Sequence, residues 1–199
     1  MVESYRIIKE STEGFYKEKG SKFLAFAYPV FSLDEVKEKL DVLRKEYYDA
    51  RHYCYAHIIE NEQNQLIRAN DDGEPNHSAG DPILGQIKSF DLTNTLVVVV
   101  RYFGGTKLGV SGLIHAYKTA AEDALQKAAI QIIEIKQDFV MEYGYEKTSD
   151  AMRIINSFGV EIKNQDFQDF CKLEGRIEPD KFDSLKDKLA LIQIDARKV

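Results

Sequence analysis

One run of eight residues, Thr95–Tyr102, reads TLVVVVRY and constrains the fold more than any other stretch of the chain. A run of this length that is apolar almost throughout is typical of a strand buried on both faces of a sheet. It leads into the turn FGGTKLGVSG and then into LIHAYKTAAEDALQKAA, whose apolar residues recur at helical spacing. The centre of the chain is therefore predicted to be a buried strand, a glycine-rich turn and a helix packed closely against a sheet.

The glycine-rich turn does not fit either nucleotide-binding pattern. A Walker phosphate loop needs Gly, four residues, Gly, Lys and then Ser or Thr. Gly104 and Gly109 have that glycine spacing, but Val110 stands where the lysine is required. The dinucleotide pattern GxGxxG fails because Gly104 and Gly105 are adjacent. The turn is therefore not predicted to bind ATP or NAD, and no cofactor is predicted for the chain.

Two compatible interpretations of this turn stay open. Backbone N–H groups at the start of a helix, with Arg101 and Lys107 near them, favour an anion such as a phosphodiester or a carboxylate. In the other interpretation the glycines only allow a tight corner and close packing. The candidate anion-binding or RNA-binding residues are Arg101, Tyr102, Phe103, Gly104, Gly105, Lys107 and Gly109, with Arg51, Arg68 and Lys118 as further cations.

A second polar segment is the loop ANDDGEPNHSAGD, residues 69–81, in which Asp71, Asp72 and Glu74 lie within four positions. These carboxylates could serve acid-base chemistry, which needs a pKa raised by burial, or they could form a solvated acidic turn at Asp72 and Gly73. The spacing of a calcium-binding EF-hand is absent, and no metal is predicted. Asp81 and Pro82 then resemble the N-cap and first residue of a short helix.

His52 and Cys54 lie on one face of the predicted strand HYCYAHII, residues 52–59. No CxxC or HExxH spacing supports a zinc site. Cys54 is either a buried strand residue or a nucleophile activated by His52 or His77, and the choice depends on tertiary geometry. After the polar turn NEQNQ, the segment LIRA is predicted to return as the second strand of a hairpin.

Regular elements are also clear on either side of this region. Ser32 and Glu35 make a capping box for a helix that runs to Tyr47. Beyond a change of composition at 129–136, strands and helices alternate as βαββαβ in about 65 residues, which is the ferredoxin-like pattern. We therefore predict two domains, an α/β (α+β) domain over residues 1–132 and a small ferredoxin-like domain over residues 133–199.

The composition limits the partners. The formal charge of −6 argues against broad, nonspecific binding to nucleic acid, so any phosphate-binding surface must be a local patch. The N-terminal residues contain no apolar segment of a secretory signal, and TLVVVV is too short to span a bilayer. The expected location is the cytoplasm, without membrane contact, where Cys54 and Cys171 remain reduced.

Four blocks of sequence together resemble one known family. They are KGSKFLAFA (19–27), ARHYCYAH (50–57), DDGEPNHSAGDPIL (71–84) and VVVVRYFGGTKLGVSGLIHAY (97–117). In this order and with these motifs, they resemble the IMPACT/YigZ family, and the last third of the chain is similar to the smaller C-terminal domain of bacterial members. The resemblance implies an N-terminal domain of the ribosomal-protein and elongation-factor α/β type, followed by a ferredoxin-like domain.

The resemblance also implies a role in translation. A similar pair of folds in an elongation factor contacts ribosomal RNA, and eukaryotic members of the family are regulators of translation that act through protein partners. This chain departs from the usual family pattern in having Asn76, His77 and Ser78 after DDGEP, and His115 where an arginine is common. The change to His115 removes a fixed positive charge beside the glycine-rich turn.

The leading hypothesis is therefore a non-catalytic binding protein that contacts RNA or the ribosome through a local anion site. The second hypothesis is a regulator that binds a protein partner, with DDGEP as an acidic docking loop. The third is a hydrolase that uses Asp71, Asp72, Glu74, His52 and Cys54. The oligomeric state is left open.

Overall fold

The computed structural model describes residues 4–60 and 65–199. Its contacts divide the described residues into two units, one of Arg6–Ile132 and the other of Ile133–Val199 together with Ser4 and Tyr5. Each unit has its own apolar core, and the predicted α+β class with two domains is confirmed. No helix among the described residues combines the length and the apolar character needed to cross a membrane.

The larger unit is built on a five-stranded antiparallel sheet. The order of its strands is β2-β3-β6-β4-β5, which places the apolar run in the middle of the sheet as β6. The predicted hairpin is present, although residues 61–64 of its turn lie outside the described residues. The bounds are β2 Thr12–Glu18, β3 Ser21–Pro29, β4 His52–Glu60, β5 Gln65–Asn70 and β6 Thr95–Tyr102.

Three helices cover the two faces of this sheet. Helix α1, Leu33–Glu46, packs on one face, whereas α2, Gly80–Ser89, and α3, Gly109–Gln126, pack on the other. Successive β6 side chains alternate between the two cores, so Val97 and Val99 pack beneath α2 and α3 while Val98 and Val100 pack beneath α1. Every residue of β6 from Thr95 to Arg101 is buried, which confirms the prediction of a strand covered on both faces.

Local sequence signals explain where α1 begins. The Ser32 hydroxyl accepts a hydrogen bond from the Glu35 N–H at 3.2 Å, while the Glu35 carboxylate accepts one from the Phe31 N–H at 2.9 Å. These bonds satisfy two backbone donors at the start of the helix; the Ser32 bond is that of a capping box, whereas Glu35 accepts from Phe31 and not from Ser32. Val36, Leu40 and Leu43 form the buried face of the helix.

The smaller unit has the predicted ferredoxin-like order. Its four antiparallel strands are arranged β11-β8-β10-β9, and two helices supply the apolar residues that cover one face. The bounds are β8 Gln137–Tyr143, α4 Thr148–Ser157, β9 Glu161–Phe167, β10 Cys171–Ile177, α5 Phe182–Ala190 and β11 Asp195–Lys198. A separate two-stranded sheet pairs β1, Ser4–Ile8, with β7, Ile130–Glu134.

Charged side chains on the sheet of the smaller unit pair with one another. Asp138 contacts Arg176 at 2.8 Å and Lys163 at 2.9 Å, and hydrogen bonds from these two cations lower the pKa of Asp138 to about 2. Lys172 pairs with Glu174 at 2.9 Å, and Lys136 pairs with Glu161 at 3.0 Å. Because these cations already have carboxylate partners, this sheet offers little free positive charge to a polyanion.

The glycine-rich turn of the larger unit contacts the turn between β2 and β3, backbone against backbone. A methyl group added to Gly104 would lie 1.9 Å from the carbonyl carbon of Gly20. At Gly85, by contrast, the same position has no described atom within 4 Å apart from the backbone of its own helix and its chain neighbours. Only a glycine fits at position 104, because any side chain would collide with the backbone of Gly20. Position 85 has room for a side chain.

We expect Gly104→Ala to lower the free energy of unfolding by about 2 kcal/mol, because the two turns must separate to admit the methyl group. Gly85→Ala is the matched control, since it adds the same group to an open position within α2. Its stability should be unchanged or raised by up to about 1 kcal/mol through helix propensity. Urea denaturation of both variants measures the difference, and equal midpoints would refute the close contact.

Candidate functional site

One cleft of about 670 Å³ opens on the larger unit, where the glycine-rich turn, the start of α3 and the DDGEP loop meet. His52 from β4, Glu74 and Pro75 from the loop, and Arg101 from β6 all line it. The lining also includes Asp49, Ala50, Arg51, Tyr102, Phe103, Lys107, Leu108, Gly109, Val110 and Leu113. The two polar segments of the sequence are thus brought together by the fold.

The register of the sheet positions the inner wall of the cleft. Arg101 on β6 lies opposite Phe23 on β3 and opposite His52 on β4. Residues directly opposite on antiparallel strands present their side chains to the same face. The Arg101 guanidinium lies 5.5 Å from the centre of the Phe23 ring and 5.7 Å from that of Phe103. The two phenylalanines therefore hold the cation in a fixed place.

Arg101 forms a buried ion pair with Glu74, through its Nη1 atom and Glu74 Oε1. Both residues are at least nine-tenths buried, with 7% and 9% of their surface exposed. Tyr117 on α3 donates its hydroxyl to the same Oε1 at 2.8 Å. The Cys54 sulfur lies 3.3 Å from the Tyr117 oxygen. The loop, the sheet and α3 are joined by this chain of polar contacts.

This pair changes what Arg101 can contribute to an anion site. The sequence places Arg101 among the free cations of the turn, but in the structure its charge is balanced by Glu74 inside the protein. Its Nε atom is fully buried and has no hydrogen-bond partner among the described residues. Arg101 thus orders the wall of the cleft, and uncompensated positive charge must come from Arg51 and Lys107 at the rim.

Cys54 does not have the environment of a nucleophile. Its thiol is buried, donates to the Asp71 carbonyl at 2.9 Å and lies beside Tyr117. Burial raises the pKa of the thiol far above its ordinary value, against a smaller opposing effect of the hydrogen bond with Tyr117. Burial and the neighbouring Cys54 and Glu74 likewise raise the pKa of the Tyr117 hydroxyl. A reactive thiol needs a lowered pKa and access to substrate, so the structure favours a packing role for Cys54.

Asp71 organises the loop and starts α2. Its carboxylate accepts N–H bonds from His77 at 2.8 Å, Ala79 at 2.9 Å and Gly80 at 2.8 Å. The predicted N-cap at Asp81 is therefore wrong, because Asp71 reaches the helix start from across the loop and α2 begins at Gly80. Asp81 lies in the first turn, where it pairs with the exposed ring of His77 at 2.6 Å.

Asp72 is also engaged within the fold. Its carboxylate accepts the Tyr53 N–H at 2.7 Å and lies 3.9 Å from Arg44. Its carbonyl oxygen lies 2.8 Å from His52 Nδ1. Because a carbonyl can only accept, Nδ1 carries the proton, and Nε2 of the neutral ring is left as an acceptor. The carboxylates of the DDGEP loop therefore form contacts within the protein. They do not form the solvated acidic turn that a docking loop would need.

The glycine-rich turn is shorter than its sequence indicates, because α3 already begins at Gly109. The Gly104 N–H donates to the Ser21 hydroxyl at 3.1 Å. Gly105 and Gly109 adopt positive φ angles of 88° and 74°, which other residues rarely accept. Leu108, the residue before α3, supplies no side-chain cap, and the first turn of α3 contains no acidic residue. Its first N–H groups are therefore open at one end of the cleft.

Aromatic and apolar side chains complete the rim. Phe103 is 58% exposed, and Val110 on α3 is also exposed. Tyr102 donates its hydroxyl to Asp49 at 2.7 Å; burial and this hydrogen bond raise the pKa of Tyr102 to about 12. The Asp49 carboxylate is thus occupied by Tyr102. Arg51 and Lys107 form no ion pair with the described residues.

The sequence did not identify Tyr117 or Ser21 as parts of the site. Tyr117 lies within the helical pattern LIHAYKTAAEDALQKAA, and a tyrosine on a buried alanine-rich face needs a partner for its hydroxyl. This requirement for a partner is the feature of the sequence that could indicate a role for Tyr117. Ser21 gave no signal, because its bond to Gly104 depends on two turns 83 residues apart. Within residues 4–60 and 65–199, no cluster of three or more His, Cys, Asp or Glu side chains could hold a metal ion.

The protein is therefore a two-domain α+β protein, and its larger domain has a cleft at the N-terminus of α3 that is large enough for a small ligand. The chain belongs to the IMPACT family, because residues 19–125 match the model of the Impact N-terminal domain. It is 36% identical over 148 residues to the IMPACT family member YvyE of Bacillus subtilis, covering 74% of this chain and 67% of that protein. It is 29% identical over 173 residues to YigZ of Escherichia coli, covering 86% and 85%.

One solved structure shows the same architecture over the whole chain. A crystal structure described as that of a hypothetical protein covers 100% of this chain and 98% of its own, with 26% identity and a TM-score of 0.70. Yih1, described as a two-domain translational regulator, is 28% identical over 60% of this chain and 48% of its own, with a TM-score of 0.40.

Asp71 and Asp81 give a matched test of the helix start. Burial opposes ionisation of Asp71, but its three N–H bonds outweigh that effect and lower its pKa below the ordinary value of 3.8. A group with a lowered pKa stabilises the fold above its unfolded pKa and loses that contribution as the pH falls through its folded pKa. We expect Asp71→Asn to reduce stability at pH 7, and the gap from wild type to shrink below about pH 4.

Asp81→Asn should change stability by less than about 0.5 kcal/mol, because its side chain is exposed and its ion pair is with a histidine. Urea midpoints of both variants at pH 7 and pH 3 provide the measurement. A larger loss for Asp81→Asn than for Asp71→Asn would contradict the assignment of the cap.

The buried ion pair between Arg101 and Glu74 can be tested through the stability of variants. Arg101→Met should lower the free energy of unfolding by about 3 kcal/mol, because it leaves the Glu74 carboxylate buried without its cation. The double variant Arg101→Met with Glu74→Gln should recover more than half of that loss, since neither charge remains and the glutamine can still accept from Tyr117. Equilibrium unfolding of the single and double variants tests this, and additive losses would exclude the coupling.

Proposed function

We propose that the protein is a non-catalytic binding module associated with translation, and that its cleft holds a segment of single-stranded RNA. One observation carries the proposal: the cleft places the exposed ring of Phe103 beside two cations, Arg51 and Lys107, and beside the open N-terminus of α3. An aromatic ring that stacks a base and cations that follow the phosphates are the two elements of single-strand recognition.

The charge distribution supports an anionic ligand at this position. Among the three helices of the larger unit, α1 begins with a serine cap and two acidic residues, and α2 begins on the Asp71 carboxylate. Helix α3 alone has neither a cap nor an acidic residue in its first turn. An uncapped helix N-terminus attracts negative charge, and Lys107 lies two residues before α3 starts.

The stacking surface is held in place before a ligand arrives. The Arg101 guanidinium lies 5.7 Å from the centre of the Phe103 ring, and Arg101 is fixed by Glu74 and Phe23. An aromatic side chain that does not need to be ordered on binding gives more of its stacking energy to the complex. The rest of the chain is acidic and repels phosphates, so RNA is expected to bind only at the cleft and not nonspecifically over the protein surface.

The other two hypotheses have less support from the geometry. A hydrolase built on Asp71, Asp72 and Cys54 would use residues that are already held by backbone groups or buried. An acidic docking loop would need exposed carboxylates, but Glu74 is bonded to Arg101 inside the protein. Translation is the proposed setting because the family resemblance implies it.

We expect the protein to bind a fluorescently labelled single-stranded RNA in an anisotropy titration at low salt. Lys107→Ala and Arg51→Ala should each weaken binding, and each should lower the slope of log Kd against log salt by about 0.7. Phe103→Ala should weaken binding about tenfold through the loss of stacking. Lys88→Ala and Phe31→Ala are matched controls, because Lys88 is exposed at the far end of α2 and Phe31 is 55% exposed near α1.

The controls should bind as the wild type does. If no labelled RNA binds at low salt, or if Lys88→Ala weakens binding as much as Lys107→Ala, RNA is not the ligand of this cleft. Pull-down of a protein partner that depends on Phe103 and Lys107, without RNA binding, would assign the cleft to a peptide instead.

A further inference from the structure

The inner wall of the cleft carries hydrogen-bonding atoms that neither the fold nor a simple phosphate site uses. Three residues share this wall: His52 and Arg101 are opposite one another on adjacent strands, and Glu74 is bonded to Arg101. All three line the cleft. These three residues therefore bring unused hydrogen-bonding atoms to the cleft that Phe103 also lines.

Glu74 supplies the first acceptor. Its Oε1 atom receives both internal hydrogen bonds, from Tyr117 and from Arg101. Oε2 receives none from the described part of the chain, and it is not one of the fully buried side-chain atoms without a partner. A carboxylate oxygen with free lone pairs in a largely buried residue favours a ligand that brings N–H donors.

His52 supplies the second acceptor. The Asp72 carbonyl fixes the proton on Nδ1, so Nε2 of the neutral ring presents a lone pair. His52 is partly exposed, lines the cleft and is held by this bond. A histidine with a fixed tautomer discriminates between donors and acceptors, whereas a freely rotating one would accommodate both.

Arg101 supplies one donor. Nη1 is bonded to Glu74, and Nε is buried without a partner in the part of the chain that the structure describes. Nη2 donates to no group among residues 4–60 and 65–199, and it is not among the fully buried atoms that lack a partner. The guanidinium can therefore donate from Nη2 to an acceptor on the ligand, and its planar geometry is held by the flanking phenylalanine rings.

We infer that these three residues read the Watson–Crick edge of a guanine base stacked on Phe103. The inference rests on the proposed binding of single-stranded RNA. Guanine presents one acceptor, O6, followed by two donors, N1–H and the N2 amino group, which complements one donor and two acceptors on the protein. Side chains commonly read unstacked bases on this edge.

The other bases fit these three residues less well. Uracil has a single N–H between two carbonyl oxygens, so a carbonyl would face an acceptor of the protein. Adenine and cytosine each bring one amino group followed by ring or carbonyl acceptors. In each case a carboxylate or imidazole lone pair would lie against another lone pair, which costs binding free energy at a dehydrated site. The specificity-determining residues are therefore Glu74 and His52, with Arg101 as the donor.

The test uses four labelled hexaribonucleotides that are uridine throughout except for one central position, which is guanine, inosine, adenine or uracil. Kd is measured by anisotropy with the full-length chain. We expect the guanine hexamer to bind about tenfold more tightly than the adenine and uracil hexamers, since one well-placed bidentate contact gives discrimination of this order. Inosine lacks only the N2 amino group and should lie between them.

Three variants separate base reading from phosphate binding. Glu74→Gln replaces one acceptor by an amide and should reduce the preference for guanine over adenine to about twofold or less. His52→Phe removes the other acceptor while keeping an aromatic ring, and it should reduce the same ratio even if Glu74→Gln proves unstable. Lys107→Ala should weaken all four hexamers by a similar factor and leave the ratio unchanged.

The outcomes distinguish the two proposals. If no hexamer binds, the RNA-binding function fails and the guanine inference fails with it. If all four hexamers bind equally and Lys107→Ala weakens them, the RNA-binding function stands and the guanine inference is overturned. A preference for guanine that persists in both Glu74→Gln and His52→Phe would place base reading elsewhere.

Discussion

The larger unit depends on the ion pair between Glu74 and Arg101. Neither charge could remain alone at this depth, because removing an ion from water is costly unless a partner compensates it. Through this pair the DDGEP loop is tied to the central strand of the sheet, and through Tyr117 it is tied to α3. The pair thereby joins the loop to the wall of the cleft, and the Arg101 guanidinium lies 5.7 Å from the centre of the Phe103 ring.

The pair also divides the electrostatics of the cleft into two regions. Inside, where Arg101 and Glu74 balance, the wall offers directional hydrogen bonds and no net charge. At the rim, Arg51, Lys107 and the open end of α3 offer positive charge near solvent. A ligand with an uncharged, hydrogen-bonding part and a charged backbone matches both regions, which is the construction of a nucleotide chain.

Much of the fold could be predicted because its signals are local. The apolar run of β6, the capping box of α1 and the βαββαβ order each lie within a short window of sequence, and the structure confirms them. The site could not be predicted to the same degree. The burial of Glu74, the capping of α2 by Asp71 in place of Asp81, and the partner of the Tyr117 hydroxyl all depend on residues brought together from distant parts of the chain. The tautomer of His52 is likewise set by a carbonyl 20 residues away.

The contact between Gly20 and Gly104 has a consequence for the thermodynamics of binding. Two turns that touch through their backbones, with the Gly104 N–H bonded to Ser21, lose their conformational freedom when the protein folds. A flexible turn of the same sequence would lose that freedom only when a ligand arrived, and affinity would be lower by the entropy of ordering it. Because Gly20 and Gly104 allow this contact, the conformational entropy of the two turns is lost when the protein folds. It is therefore not lost again when a ligand binds.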